Sequence, residues 1–187
     1  MPVDVTKVLV GVATLYTAPT GTAIPADTVA EGAVASPWIM AGATEEGVSL
    51  INGTDTVDIR IEEQSTPARV LINTRNARVT VALSEDTIDT MKLSYGGGTK
   101  AVQAPATGVP GVTTLSLSDN LDEISVLLEG LNGFNFWRRI YIPRAVSVAD
   151  VTTTYRRAAN NRSYTAEIRA ICPSQDIKIR EKTAAAV

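Results

Sequence analysis

The sequence predicts a mainly β fold, a two-sheet β-sandwich or partial barrel with one flanking α-helix. Three observations carry that prediction. Aromatic residues make up only 5% of the chain, while Val, Thr, Ile, Ala and Gly dominate, which favours short strands over helical bundles. Apolar residues alternate with polar ones: Val57, Ile59 and Ile61 point one way, and Asp58, Arg60 and Glu62 the other. That two-residue period suits a strand packed on one face and wet on the other. Finally, turn-forming pairs (Asn52-Gly53, Asn132-Gly133 and Asn160-Asn161) separate such runs. At 187 residues the chain is expected to form one domain over 1–187 that buries roughly 70% of its unfolded-chain surface.

Residues 5–16 read as a strand apolar on both faces. Residues 17–47 are loop-rich, with Pro19, Pro25 and several glycines, and Trp38-Ile39-Met40 is their apolar anchor. A loop of that length in a compact domain suggests a task, such as embracing a neighbour. Val48 to Ile51 and Thr54 to Ile61 flank Asn52-Gly53, which predicts a tight hairpin there. After Thr66-Pro67 the chain is extended again, with Val79, Val81 and Leu83 alternating with Arg78 and Thr80.

A short helix is expected from Ser84 to Tyr95. Ser84 would be its N-cap, Glu85 and Asp86 would sit in its first turn, and Lys92 in its last, with Gly96 following. Ile88, Met91 and Tyr95 would form its core face. Residues 96–111, rich in Gly, Ala, Pro and Thr, read as a second, flexible arm that orders on a partner. Strands follow near Thr113–Leu117, Glu123–Leu131, Phe134–Ile142, Val151–Arg157 and Ser163–Ile171. Gln175–Glu181 adds an edge strand, and 183–187 is expected to fray.

The search for chemistry is mostly negative. With no histidine, the usual general base and the commonest metal ligand are missing. Gly96-Gly97-Gly98-Thr99-Lys100 has the wrong order for a phosphate loop and follows a helix instead of opening one. Neighbouring acids such as Glu45-Glu46, Glu62-Glu63 and Asp122-Glu123 face opposite ways on a strand, so none is a catalytic pair by itself. Cys172 is the single cysteine and cannot form an internal disulfide. No catalytic, cofactor or metal site is expected, and the reading is of a non-enzyme.

No apolar run approaches the ~18 residues of a membrane helix, and the start of the chain lacks a signal-peptide pattern, so synthesis in the cytoplasm is expected. Net charge is −3, but residues 130–187 hold ten bases and four acids, against seven and sixteen before them. That asymmetry fits either a solvated face or a self-complementary subunit contact. Arg138 and Arg139 could steer nucleic acid, yet on a strand they face opposite sides.

The order of these features resembles the major tail (tail tube) proteins of long-tailed bacteriophages. The likeness lies in L-Y-T-A-P-T-G-T-A-I-P (Leu15 to Pro25), W-I-M-A-G-A-T-E-E-G-V (Trp38 to Val48), E-Q-S-T-P-A-R-V (Glu63 to Val70) and V-T-V-A-L-S-E-D-T-I-D-T-M-K-L-S-Y-G-G-G (Val79 to Gly98). It spans the N-terminal half; the C-terminal half matches only in being strand-rich. The resemblance implies hexameric rings whose inner strands join into one β-barrel and stack into a hollow tube for DNA delivery. It also implies a place in the virion tail, with tape-measure, tail terminator and distal tail proteins as partners. On that basis Asp58, Arg60, Glu62, Arg78 and Thr80 are the expected lumen residues. Pro19, Pro25 and Trp38 are the expected intersubunit arm and anchor. The alternative is a non-catalytic binding module, such as a capsid-decorating or adhesin-like sandwich.

Overall fold

The computed structural model describes residues 13–62, 66–131, 136–151 and 163–183. In chain order its strands are β1 (Thr14–Pro19), β2 (Ile39–Met40), β3 (Thr44–Ile59), β4 (Arg69–Leu83), β5 (Thr99–Gln103), β6 (Val112–Ser116), β7 (Ile124–Leu131), β8 (Trp137–Ser147), β9 (Tyr164–Ala170) and β10 (Lys178–Glu181). The helix α1 (Ile88–Ser94) lies between β4 and β5. One sheet runs β2-β1-β7-β8-β9-β4-β3, with β10 beside the first half of β8. The β5–β6 pair stands apart, and neither sheet closes. All pairings are antiparallel.

The long sheet folds over on itself where β8 meets β9, through the Ala145–Ser147 rungs alone. Val79, Val81 and Leu83 of β4, with Tyr164, Ala166 and Ile168 of β9, thereby pack against Leu15, Val126, Leu128, Ile142 and Ala145. On β4, β7 and β9 these are alternate residues, so the period read from the sequence is the one that fills the core; on β8 an extra residue opposite the Ile124–Val126 step sets Ala145 three positions after Ile142. The predicted sandwich with one flanking helix is the fold observed.

The elements differ from expectation in several places. Asn52-Gly53 is no turn: Asn52 pairs with Ala77 and Gly53 with Asn76 inside the β3–β4 ladder. Long-range pairing of two long strands outweighs the local preference of the dipeptide, and the chain reverses between Ile59 and Arg69 instead, where the Ala68 amide donates to the Ile59 carbonyl at 2.8 Å. β1 extends to Pro19, into the stretch expected to be loop; the rest of the strand expected at 5–16 lies largely outside the described residues. So do the Asn132-Gly133 and Asn160-Asn161 turns, the strand expected over Val151–Arg157, and nearly all of the fraying tail.

The helix starts a turn later than predicted. Thr87 is the N-cap, its hydroxyl accepting from the Thr90 amide, while the Ser84 amide and hydroxyl both donate to the Ala43 carbonyl. Glu85 and Asp86 are likewise engaged elsewhere, with the Ala43 amide and the Tyr164 hydroxyl. Asp89 and Lys92 supply the acidic first turn and basic last turn. Of the expected core face, Met91 packs on the core and Ile88 is half-buried, but Tyr95 is the C-cap and 37% exposed. The helix buries Thr90 and Ser94 instead, small residues one turn apart that let it lie close to the sheet.

Residues 96–111 hold the end of the helix and strand β5. Gly96, Gly97 and Gly98 all have positive φ. Gly96 and Gly97 donate to Leu93 and Lys92 carbonyls to end the helix, and Gly96 accepts from the Asp122 amide. β5 and β6 then form a hairpin. Gly98 has φ 129°, and a Cβ there would sit 2.5 Å from the Ser116 carbonyl oxygen. Gly98→Ala is therefore expected to lower unfolding free energy by about 1–3 kcal/mol, read as a shifted urea midpoint.

Candidate functional site

Three surfaces outside the core carry the functional geometry. The first is the outer face of β3, β4 and β9. Because Val79 and Val81 face the core, Arg78 and Thr80 face away, opposite Ile51 and Ser49 of β3 and Arg169 and Glu167 of β9. Arg78 and Glu167 form an ion pair at 3.0 Å. Thr165 extends this polar face, and Asp55 lies on it further out. Glu167 thus offsets Arg78, and Arg169 stands opposite Arg78 on the neighbouring strand.

The second surface is the outer half of the β3–β4 hairpin. Residues 51–59 and 69–76 are exposed throughout, forming a ribbon roughly 30 Å long at ~3.3 Å per residue. Asn73 is a bulge between Thr74 and Ile72, and its side-chain amide donates to Asp55 at 2.8 Å. The extra residue sits on β4, so the alternation of β3 runs through uninterrupted. Arg60 and Asp58 share a face, 4.0 Å apart. The structure therefore does not bring the five expected lumen residues together. Asp58 and Arg60 lie on the face continuous with the core, Arg78 and Thr80 on the opposite one, and Glu62 lies beyond β3 in the turn.

The third surface is covered by the chain itself. Residues 20–38 form a strap across the outer face of β1, β7 and β8, over Tyr16, Ala18 and Leu127, with Ile24, Val34 and Tyr141 packed alongside. Trp38, expected to anchor the arm between subunits, is plugged into its own chain, meeting Tyr141 edge-on at 6.1 Å and donating its indole N–H to the Ala23 carbonyl. Ile39 and Met40 instead stay exposed, Pro25 is half-buried and Pro19 is exposed. The Tyr141 hydroxyl donates to the Thr22 carbonyl at 2.6 Å, and burial pushes the Tyr141 and Tyr16 phenols above their ordinary range.

Beneath the strap lies a buried ion pair. Arg139 Nε donates to Glu129 Oε1 at 2.7 Å, with both side chains all but sealed from solvent. The remaining guanidinium donors reach the Ala26 and Val29 carbonyls, and Glu129 Oε2 accepts from the Gly32 amide at 2.9 Å. The guanidinium also sits 4.1 Å from the Trp137 ring centroid. Of the Arg138-Arg139 pair, Arg139 is buried out of reach of nucleic acid, and Arg138 pairs with Glu181 at the surface.

A family model described as phage tail tube protein matches residues 1–166. The chain belongs to the phage tail tube protein family. No curated protein matches it. Membership gives a structural tail tube role, a component of the virion tail that assembles with itself, and points away from catalysis. No described helix is long and apolar enough to cross a membrane.

Within this tail tube chain, sequence reasoning missed Glu167, Arg169, Glu129 and the strap's docking role. The alternation of Ser163–Ile171 had already separated Glu167 and Arg169 from the core residues of that strand; what sequence lacks is their adjacency to Arg78. The charge asymmetry also acquires an internal cause. C-terminal arginines pair with N-terminal acids in Arg139–Glu129, Arg144–Glu123 and Arg180–Asp27, and the Arg144 hydrogen bond holds the Glu123 carboxyl below its usual range.

Proposed function

We propose that the chain is the repeating subunit of a tail tube, closing into hexameric rings that stack around a DNA conduit, with the outer face of β3, β4 and β9 as the lumen wall. The observation that carries this is the asymmetry between the two wings of the sheet. One wing is sealed on its outer side by the strap, while the other is bare, polar and bounded by the open edge of β3. An open sixteen-residue edge strand is an aggregation hazard unless another strand completes it, and ring closure through copies removes every such edge.

A wall in which Arg78 is offset by Glu167 suits passage of a polyanion better than a uniformly basic one. Each uncompensated cation would add counterion-release affinity and slow transit. Arg78 and Thr80 are the lumen residues of this reading, joined by Glu167, Arg169 and Thr165. Tape-measure protein would fill the channel before DNA does, and terminator and distal tail proteins would meet the end rings.

Negative-stain microscopy of the concentrated chain tests the assembly; stacked rings or hollow filaments are expected, and isolated globules would refute it. For the wall, Thr80→Lys with Glu167→Lys should leave tubes of normal length while lowering DNA delivery at least tenfold in an infectivity assay. Unchanged infectivity would place these residues outside the channel.

A further inference from the structure

We propose that Asn52-Gly53 is a latent self-modification site, a deamidation centre that the β3–β4 ladder holds shut in the folded subunit. The chemistry belongs to the dipeptide. The Gly53 amide nitrogen attacks the Asn52 side-chain carbonyl carbon and closes a five-membered succinimide. The side-chain nitrogen departs as ammonia, taking up the proton that the Gly53 nitrogen gives up. Water then opens the ring at either carbonyl. The product is an aspartyl residue, or an isoaspartyl one whose main chain runs through the former side chain. The net change is water consumed and ammonia released, with no oxidant or cofactor. Glycine favours the attack because it has no Cβ to crowd the nitrogen and leaves the backbone free to rotate.

The fold opposes the first step. Ring closure requires the Gly53 nitrogen to rotate nearly into line with the Asn52 Cβ about the Cα–C bond. A residue in an antiparallel ladder holds ψ near ~+135°, where those two atoms stand well apart. Asn52 pairs with Ala77 and Gly53 with Asn76, so the rotation cannot occur without separating the strands. Ala77 is buried, and the next residue, Arg78, pairs with Ile51 on one side and Arg169 of β9 on the other. Asn52 therefore sits where the two-stranded ribbon joins the three-stranded body, and fraying at the ribbon tip leaves it closed. Its side chain is exposed and makes no hydrogen bond among the described residues, so the main chain alone restrains it. An isoaspartyl link would add one main-chain carbon to β3 and throw the residues beyond it out of register with β4. A chain that reacts while open cannot rebuild the same ladder, and the site thus records opening irreversibly. The inference stands on the ladder and is independent of the tube reading.

The test is peptide mapping of the dilute full chain aged at mildly alkaline pH, folded and in urea, with aspartyl and isoaspartyl products counted at Asn52. Asn132-Gly133, the same dipeptide elsewhere in the sequence, is the reference in urea, where the two sites should react at similar rates. In the folded subunit Asn52 should convert at least tenfold more slowly than in urea. Conversion of folded chain at the urea rate means that the rung stands open in solution and overturns the inference. Gly53→Ala should slow conversion of Asn52 in urea at least tenfold; an unchanged rate overturns the succinimide route. Diluted out of urea after ageing, wild type should recover a smaller folded fraction than Asn52→Ser, which keeps only the Asn132 reaction. Equal recovery shows that β3 tolerates the altered link and removes the irreversible record. Should neither chain refold, the rates in folded and unfolded chain decide alone.

Discussion

Arg139→Ala is expected to lower the unfolding free energy by about 3–5 kcal/mol, the loss typical when one partner of a buried ion pair is removed. Against a usual stability of about 5–15 kcal/mol for a natural protein, that loss is large enough to leave part of the population unfolded at 37 °C. The deletion strands the Glu129 carboxylate, which keeps only the Gly32 amide, and strips the Ala26 and Val29 carbonyls of their donor. The packing of the guanidinium on Trp137 goes with it. Urea denaturation should show the loss directly. The double change Glu129→Leu with Arg139→Met should cost less than the single alanine, because no unpartnered charge stays buried and water can reach the strap's main chain. If the double variant is the weaker of the two, the penalty lies in strap attachment and not in the charge.

Cutting away the ribbon should have the opposite profile, a folded subunit that never polymerises. Replacing residues 54–75 with Asn-Gly joins Gly53 to Asn76, which already face each other across the ladder, through a two-residue turn suited to a hairpin. Every described residue removed is exposed and lies outside both apolar clusters. Melting temperature should stay within a few degrees of wild type, while filaments vanish at concentrations where the intact chain forms them. Filaments from the trimmed chain would show that tube contacts lie in the body, and a trimmed chain that unfolds would show that the ribbon supports the sandwich.

What was legible in the sequence was whatever depends on neighbours along the chain. The alternation of β4, β7 and β9 identified their core faces, the glycines after α1 marked its end, and Lys92 fell in its last turn. Features made by distant residues were not legible. Asn52-Gly53 carries a strong local turn signal, but a ladder of two long strands runs through it. Glu129 and Arg139 look like ordinary outward charges on alternating strands until residues 26–32, about a hundred positions upstream, are laid over them. The five residues expected to share a channel wall were chosen from two strands whose relative register no local pattern fixes. That register set Asp58 on one face and Arg78 on the other.

The strap has a practical consequence. Among the described residues, the polar links from β7 and β8 to it reach main-chain atoms: the Gly21 and Gly32 amides and the Thr22, Ala26, Val29 and Ala30 carbonyls. Backbone grips are indifferent to side-chain identity, so outward positions such as Thr28 and Glu31 can be rewritten without loosening the attachment. Short epitopes or reactive handles introduced there should leave the subunit's melting temperature unchanged, because the side chains they replace make none of these links.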